Sequence, residues 1–389
     1  MKKLVALLLC LVLLGGMSAF AETEKQTVKI AVMCPQSGIN ARFYEIYKAS
    51  IEAALRCMEE DGMLPEYYDF EFEYIDDQGT TEGAPAAANY ALDSYGCHVA
   101  IGHLLTTMIL VSGQYFEDAQ VPLLGIVSGP ASVSQGWEYI CIETGTDLMN
   151  ADTLLEYLVE EKGYTKISMV NVNTEGGQSA GDRVEEVLTD KYGLELATHD
   201  EVEALEPDMS ALVLKMKDAG AEAVICWGVE VATSNLLNSQ INQLWGETPE
   251  DVLYCGGTNM AQNTNTQAWS AEDIEGVVFT SGYIFDGSET HTRFRDYVVE
   301  LDPEGMEPSD VGARVFDAMY HIVTALTNMG QMDVDDPEFS KTLNQYLRTA
   351  AFTGVQGEVD FGAFDNGVGL KAMNVGVWTE NYGQEKIYP

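Results

Sequence analysis

The sequence predicts an α/β protein built as two doubly wound, parallel-sheet lobes. Three observations carry this expectation. Short apolar runs alternate with amphipathic stretches of ten residues or more, the pattern of buried strands joined by helical crossovers. The alternation pauses at a polar stretch, Glu143-Thr144-Gly145-Thr146-Asp147, and then begins again. Finally, 389 residues, 46% of them hydrophobic, supply enough material for two cores.

Taken in order, strands are predicted at 27–34, 68–75, 98–102 and 122–127, with helices at 45–60, 82–94 and 107–118 between them. Strands covered on both faces read as continuous apolar runs, and parallel neighbours need long right-handed connections. The second run places helices at 148–161, 180–190, 210–218 and 231–242, with strands at 166–173, 194–203, 222–226, 252–255 and 276–281. Helices at 289–301, 309–327 and 336–347 follow without comparable strands. They are expected to return and cover the first lobe, which makes both lobes discontinuous in sequence.

The chain opens with Lys2 and Lys3, an apolar run from Leu4 to Leu14 and small residues ending at Ala21, the order of a secretory signal cleaved near Ala21. That run is about half of the ~20 residues a membrane span needs. An exported protein, periplasmic or extracellular and at the cell surface, is therefore expected. Cys10 follows Leu7, Leu8 and Leu9 rather than a small residue, which argues against a lipid anchor. With 62 acidic against 20 basic residues and a net charge of −42, the surface repels nucleic acid and anionic lipid. The six cysteines beyond the leader form no C-x-x-C pair, and several sit in apolar strands, where a thiol acts as a small hydrophobe. No phosphate-cradling glycine loop, dinucleotide fingerprint, calcium loop or metal-ligand helix appears, so neither cofactor nor metal is expected.

Ligands of open α/β sheets bind at the carboxyl ends of the strands, where successive connections diverge. In the first lobe that rule nominates 35–38 with Arg42-Phe43-Tyr44, then Asp76-Asp77-Gln78, Leu104-Leu105-Thr106-Thr107, and 128–132 with Ala131 and Ser132. In the second it nominates Glu175-Gly176-Gly177, Trp227-Gly228-Val229-Glu230 and Gly256-Gly257-Thr258-Asn259. Thr106 and Thr107 stand between a strand and a helix, where hydroxyls and helix-terminal amides suit a carboxylate, although either threonine also serves as an ordinary cap. Trp227 suits the apolar part of a ligand or a lobe core. Glu230 suits a ligand cation or the dipole at a helix start. One enzyme pattern is present: Gly177-Gln178-Ser179-Ala180-Gly181 fits a hydrolase nucleophile elbow, with His291 and His321 downstream. Its serine stands well past the predicted strand end at Asn173, and both histidines fall in predicted helices. A non-catalytic binding protein is the expectation.

Val28-Lys29-Ile30-Ala31-Val32 with Ser37-Gly38, Ile75-Asp76-Asp77-Gln78, Ala100-Ile101-Gly102-His103-Leu104, the strand and loop at 122–132, and Ala313-Arg314-Val315-Phe316-Asp317-Ala318-Met319-Tyr320 occur in that order. Together they resemble the branched-chain amino-acid (leucine/isoleucine/valine) binding proteins of ABC importers, over nearly all of the mature chain. The resemblance implies the type I periplasmic-binding architecture, with a three-strand hinge crossing between lobes near Thr144, Ser281 and Gly354. The lobes would then be 22–144 with 282–354, and 145–281 with 355–389. It implies a monomer that closes on a small polar ligand, an amino acid or a related amide or carboxylate, and delivers it to a membrane permease. A receptor-type module sensing amides or small acids is the alternative use of the same fold.

The resemblance also places Thr106, with Leu105 and Thr107 beside it, at a ligand carboxylate, Ala131 and Ser132 at an ammonium, and Phe43 as the first-loop aromatic. The second lobe departs from the family pattern. Gly176 stands where relatives close with a tyrosine, and the next loop's tyrosine falls near Val229 or Glu230. The acidic position falls at Gly257 or Thr258, leaving Glu175 and Glu230 as neighbouring substitutes.

Overall fold

The computed structural model describes residues 25–388 apart from 39, 204–205, 229–230, 249, 263–267, 305–306 and 364–366. In the first half, β1 (Gln26–Cys34), α1 (Phe43–Glu60), β2 (Tyr68–Asp76), α2 (Gly83–Asn89), β3 (Val99–Ile101), α3 (Thr106–Ala119), β4 (Leu123–Gly125) and β5 (Ile140–Ile142) follow in order. The strands form one sheet in the order β2-β1-β3-β4-β5, every pair parallel. β1 is covered on both faces: Val28, Ile30, Val32 and Cys34 enter one core, and Ala31 and Met33 the other. Two-sided burial is why this strand reads as an unbroken apolar run.

The second unit comprises α4 (Asp147–Glu156), β6 (Ile167–Val172), α5 (Glu175–Val187), β7 (Thr198–Val202), α6 (Ser210–Ala219), β8 (Ala223–Trp227), α7 (Val231–Leu244), β9 (Leu253–Gly256), α8 (Ala271–Ile274) and β10 (Val278–Ser281). Its parallel strands run β7-β6-β8-β9-β10, the same order as the first sheet, with β13 (Asn374–Thr379) and β14 (Gly383–Tyr388) added antiparallel beyond β10. In each sheet the connections reverse direction beside the first strand, leaving a crevice at β1/β3 and another at β6/β8.

Three more helices, α9 (Glu289–Leu301), α10 (Asp310–Met329) and α11 (Phe339–Leu347), return to the first sheet, where Phe294, Phe316 and Phe339 join Val28, Ile30 and Ile51 in one cluster. α10 is buried almost all round. Along it Asp310, Arg314, Asp317 and His321 recur every three or four residues, about one turn apart, and form a polar stripe on one face. Each of the four holds the backbone of a different connection. Asp310 accepts from the Ser281 hydroxyl at 2.9 Å and the Gly282 amide at 3.2 Å, and Arg314, ion-paired to Asp310, donates to Ile126 O at 3.2 Å. Asp317 accepts from the Val355 and Gln356 amides at 2.8 and 3.0 Å, while His321 bonds Glu143 and Leu347 O, each at 2.8 Å.

Two expectations are corrected. The third crossing lies at 371–374, not at Gly354. After β11 (Ala351–Gly354) the chain turns at Val355-Gln356 into β12 (Gly357–Asp360), and this hairpin stays on the first lobe. Phe361 stacks on His321, Val368 pairs with Ile142, and Leu370 and Met373 pack on Cys141. Only then does Asn374 reach across to donate to Gly282 O at 2.9 Å. The helix predicted at 180–190 begins instead at Glu175, because Thr174 caps it by accepting the Gly177 amide at 3.3 Å. The glycine pair is no helix breaker here: a Cβ at Gly177 would lie 2.1 Å from Val172 O, so close strand packing demands glycine inside the first turn.

Cys34, Cys57, Cys97, Cys141, Cys226 and Cys255 are all unpaired and buried. Burial pushes every one of these thiols up, Cys57 to about 11 and Cys97 and Cys141 to about 12. A thiol-reactive chromophore is therefore expected to label none of the six in the native protein and all of them in denaturant. Rapid native labelling of any one would contradict the packing.

Candidate functional site

The crevice of the first lobe is walled by the loops after β1, β2, β3 and β4. The Asp76 carboxylate pins the first of these, accepting from the Gln36 and Gln78 amides at 2.9 Å and the Ser37 hydroxyl at 2.7 Å. Partial burial opposes the charge, but these bonds outweigh it and hold the carboxyl below its usual range. Arg42 ties the same loop to Asp302 and, at 3.0 Å, to Glu304 beyond α9. Phe43, the first residue of α1, is half-buried against the main core. Below the loops lies a fully buried pair, Asp77 and His103, 2.7 Å apart.

Thr106 is not a helix cap. α3 starts on it with Leu105 in extended conformation before it and no side-chain cap, so the helix offers its N-terminal amides to the crevice. The Thr106 hydroxyl instead accepts the Gly129 amide at 3.2 Å, joining the β3 and β4 loops, while Thr107 and Leu105 are exposed. Ser132 is buried and donates to Gly129 O at 2.6 Å, which leaves its lone pairs free to accept, and Ala131 O accepts from the side chains of Ser134 and Gln135, each at 3.1 Å. Their bonding shapes the loop.

In the second lobe Trp227 is corrected outright. It is 4% exposed and packs with Leu158, Met169 and Ile225 inside the core. Its indole lies 2.8 Å from where a Cβ on Gly257 would stand, so Gly257, one of the two positions aligned with the family's acidic residue, has no room for a side chain unless the indole shifts. Thr258 follows, half-buried, at the start of a short 3-10 turn. Glu175 and Gly176 occupy the first turn of α5, and Glu230 lies outside the described residues, as does Val229.

Residue patterns gave no sign of how the lobes meet. Asp147, first in α4, donates its amide to Ser128 O at 2.9 Å, and burial raises its carboxyl against the opposing effect of the Ser128 hydroxyl and Arg314. Within the first lobe, Gln356 at the β11–β12 turn donates to Glu143 O at 2.7 Å and to Asp317 at 3.0 Å. These partners are far apart in sequence, and no local motif links them.

The elbow reading fails. Ser179 lies in the second turn of α5 beside a 510 Å³ surface depression lined by Leu148, Asp182, Arg183 and Glu186, not on a sharp strand-to-helix turn. His199 bonds Glu185 and Asn171, His321 bonds Glu143, His103 bonds Asp77, and His98 and His291 accept backbone amides. A 630 Å³ groove lined by Leu64, Pro65, Tyr320 and Phe352 lies at the amino-terminal edge of the first sheet, opposite the crevice. Its lining also includes Glu66, Thr324, Thr327 and Asn328, but it lies away from the strand-end loops and is a weaker candidate.

The family model of the periplasmic binding proteins matches residues 27–383. The chain belongs to the periplasmic binding protein family. Among curated relatives of this periplasmic binding protein, a Leu/Ile/Val-binding protein homolog from Brucella melitensis is 25% identical over 266 residues, covering 67% of this chain and 69% of its own. A leucine-, isoleucine-, valine-, threonine- and alanine-binding protein from Pseudomonas aeruginosa is 20% identical, over 87% of this chain and 88% of its own. The fold matches the substrate-binding protein LivJ of Streptococcus pneumoniae in complex with isoleucine, with a TM-score of 0.75, 18% identity, and 94% and 100% of the two chains covered. It also matches an ABC-transporter solute-binding protein of Rhodopseudomonas palustris in complex with 3,4-dihydroxybenzoic acid, with a TM-score of 0.75, 16% identity, and 93% and 96% covered.

Proposed function

We propose that this periplasmic binding protein is the extracytoplasmic solute-binding component of an ABC importer. It captures a small polar ligand between the β1/β3 and β6/β8 crevices and presents the closed form to a membrane permease. The observation that carries this reading is the repeated strand order. Two sheets with identical switch points are joined at three crossings, so contacts from both lobes stabilise one closed state. We place the lobes at 22–144 with 282–373, and 145–281 with 374–389, after a leader ending near Ala21. The protein catalyses nothing and acts as a monomer. The ligand is an amino acid of the branched-chain type or a related carboxylate or amide: the uncapped start of α3 favours a carboxylate, and the named relatives favour an amino acid.

A thermal-shift screen of amino acids, short amides, small carboxylates and hydroxybenzoates tests this. At a hundredfold excess over Kd the ligand stabilises by about 2.7 kcal/mol, a rise of roughly 5–10 °C for lobes of this size. Thr106→Ala combined with Glu230→Ala is expected to abolish that rise while lowering the ligand-free Tm only slightly. An undiminished rise would refute the placement of the cleft.

A further inference from the structure

Four polar groups on the α1/α10 face of the first sheet are buried without a protein partner: His103 Nε2, the Tyr47 and Ser50 hydroxyls, and Arg314 Nε. They belong to one place. Tyr47 and Ser50 lie one turn apart on α1 and are buried. A Cβ on Gly312 would stand 2.9 Å from Ser50 Oγ, which puts the first turn of α10 against that hydroxyl. Tyr47 shares one core cluster with Cys34, at the end of β1, and Ile126, just past β4; its phenol is raised first by burial and then by Cys34 and Asp77, and is lowered by Arg314. Asp77 holds His103 at the ends of β2 and β3, and Arg314 reaches Ile126 O at the end of β4.

The hydrogen-bonding capacities are complementary only through an intermediary. Asp77 accepts the Gly79 amide at 3.0 Å and faces His103 Nδ1, so in the neutral ring the proton sits on Nδ1 and Nε2 is left as an acceptor. Tyr47, Ser50 and Arg314 Nε each bring a donor. A molecule that both donates and accepts joins three donors to one acceptor, whereas an anion would add to the charges of Asp77 and Asp310, which Arg314 alone offsets. Buried polar clusters of this kind hold water that makes about three hydrogen bonds.

We propose that ordered water occupies this space and hydrogen-bonds the ligand loop to the hinge helix. His103 immediately precedes loop 104–107, and Arg314 is paired with Asp310, which grips the second crossing at Ser281 and Gly282. His103 is then a positioning residue, held from behind by Asp77 and by water. The link to ligand capture rests on the cleft proposed above; the water site does not, and its test uses no ligand.

The test is a ligand-free crystal structure of the mature protein at a resolution that shows ordered solvent, with a second crystal soaked in bromide. Expected is at least one water within hydrogen-bond distance of both His103 Nε2 and either the Tyr47 hydroxyl or Arg314 Nε. A dry space, a direct His103–Tyr47 bond or an anomalous bromide peak there would overturn the proposal. Nitrogen NMR is expected to find His103 as the Nδ1–H tautomer; the Nε2–H form would contradict it. In Tyr47→Phe, amide exchange is expected to quicken about tenfold at both 102–107 and 282–284 while the second sheet is unchanged. Unaltered exchange at either segment in a folded variant would refute the link between loop and hinge.

Discussion

Arg314→Met is expected to destabilise the protein by about 3–5 kcal/mol, the usual cost of leaving a buried charge unpaired. Asp310 is 2% exposed and has Arg314 as its ion-pair partner, while its other oxygen already serves Ser281 and Gly282. Removing the guanidinium strands the carboxylate and also frees Ile126 O. The loss is read from the urea midpoint at constant m-value. Because the stranded charge causes most of it, Asp310→Asn with Arg314→Met should recover about half. A single variant within about 1 kcal/mol of wild type would show that this ion pair does not hold the crossing.

The second large effect depends on pH. Burial raises the Asp317 carboxyl from 3.8 to about 7, against hydrogen bonds from Val355 and Gln356 and assisted by the neighbouring Glu143. Arg314 and His321 flank it on α10, and His321 is bonded to Glu143. A folded-state value above the unfolded one means that the folded protein holds its proton more tightly. The stabilisation is complete below about 3.8 and is lost as the pH rises through about 7. Between about pH 5 and pH 8 the wild type should therefore lose about 2–4 kcal/mol relative to Asp317→Asn, whose stability lacks this contribution. Equal slopes in the two proteins would show that the carboxyl is not held neutral.

Much of this architecture was legible in the residues. The first-lobe strands and α1, α3, α9 and α10 fall within one to three residues of their sequence positions, because two-sided burial and helical periodicity leave strong local patterns. β5 escaped because three residues, Ile140 to Ile142, carry no period of their own. The 351–360 hairpin escaped because β11 is largely exposed and lacks an apolar stripe. The strand-end rule found the first-lobe loops. It misassigned Trp227, since a tryptophan at a strand end looks the same whether it faces the ligand or the core. Spacing could not reveal the pairs Asp77 with His103, Glu143 with His321 or Asp147 with Ser128, which arise only when distant segments meet.

The late position of the third crossing bears on the order in which the molecule can assemble. The first sheet is synthesised early, yet its α1 face stays bare until α9, α10 and α11 arrive from the last third of the chain. The second sheet leaves β10 with an open edge until β13 and β14, almost the final residues, close over it. Both sheets are thus completed by segments that follow Ser288 in the chain, so each one's closing contacts join residues far apart in sequence, and loop closure of that length makes such sheets slow to form.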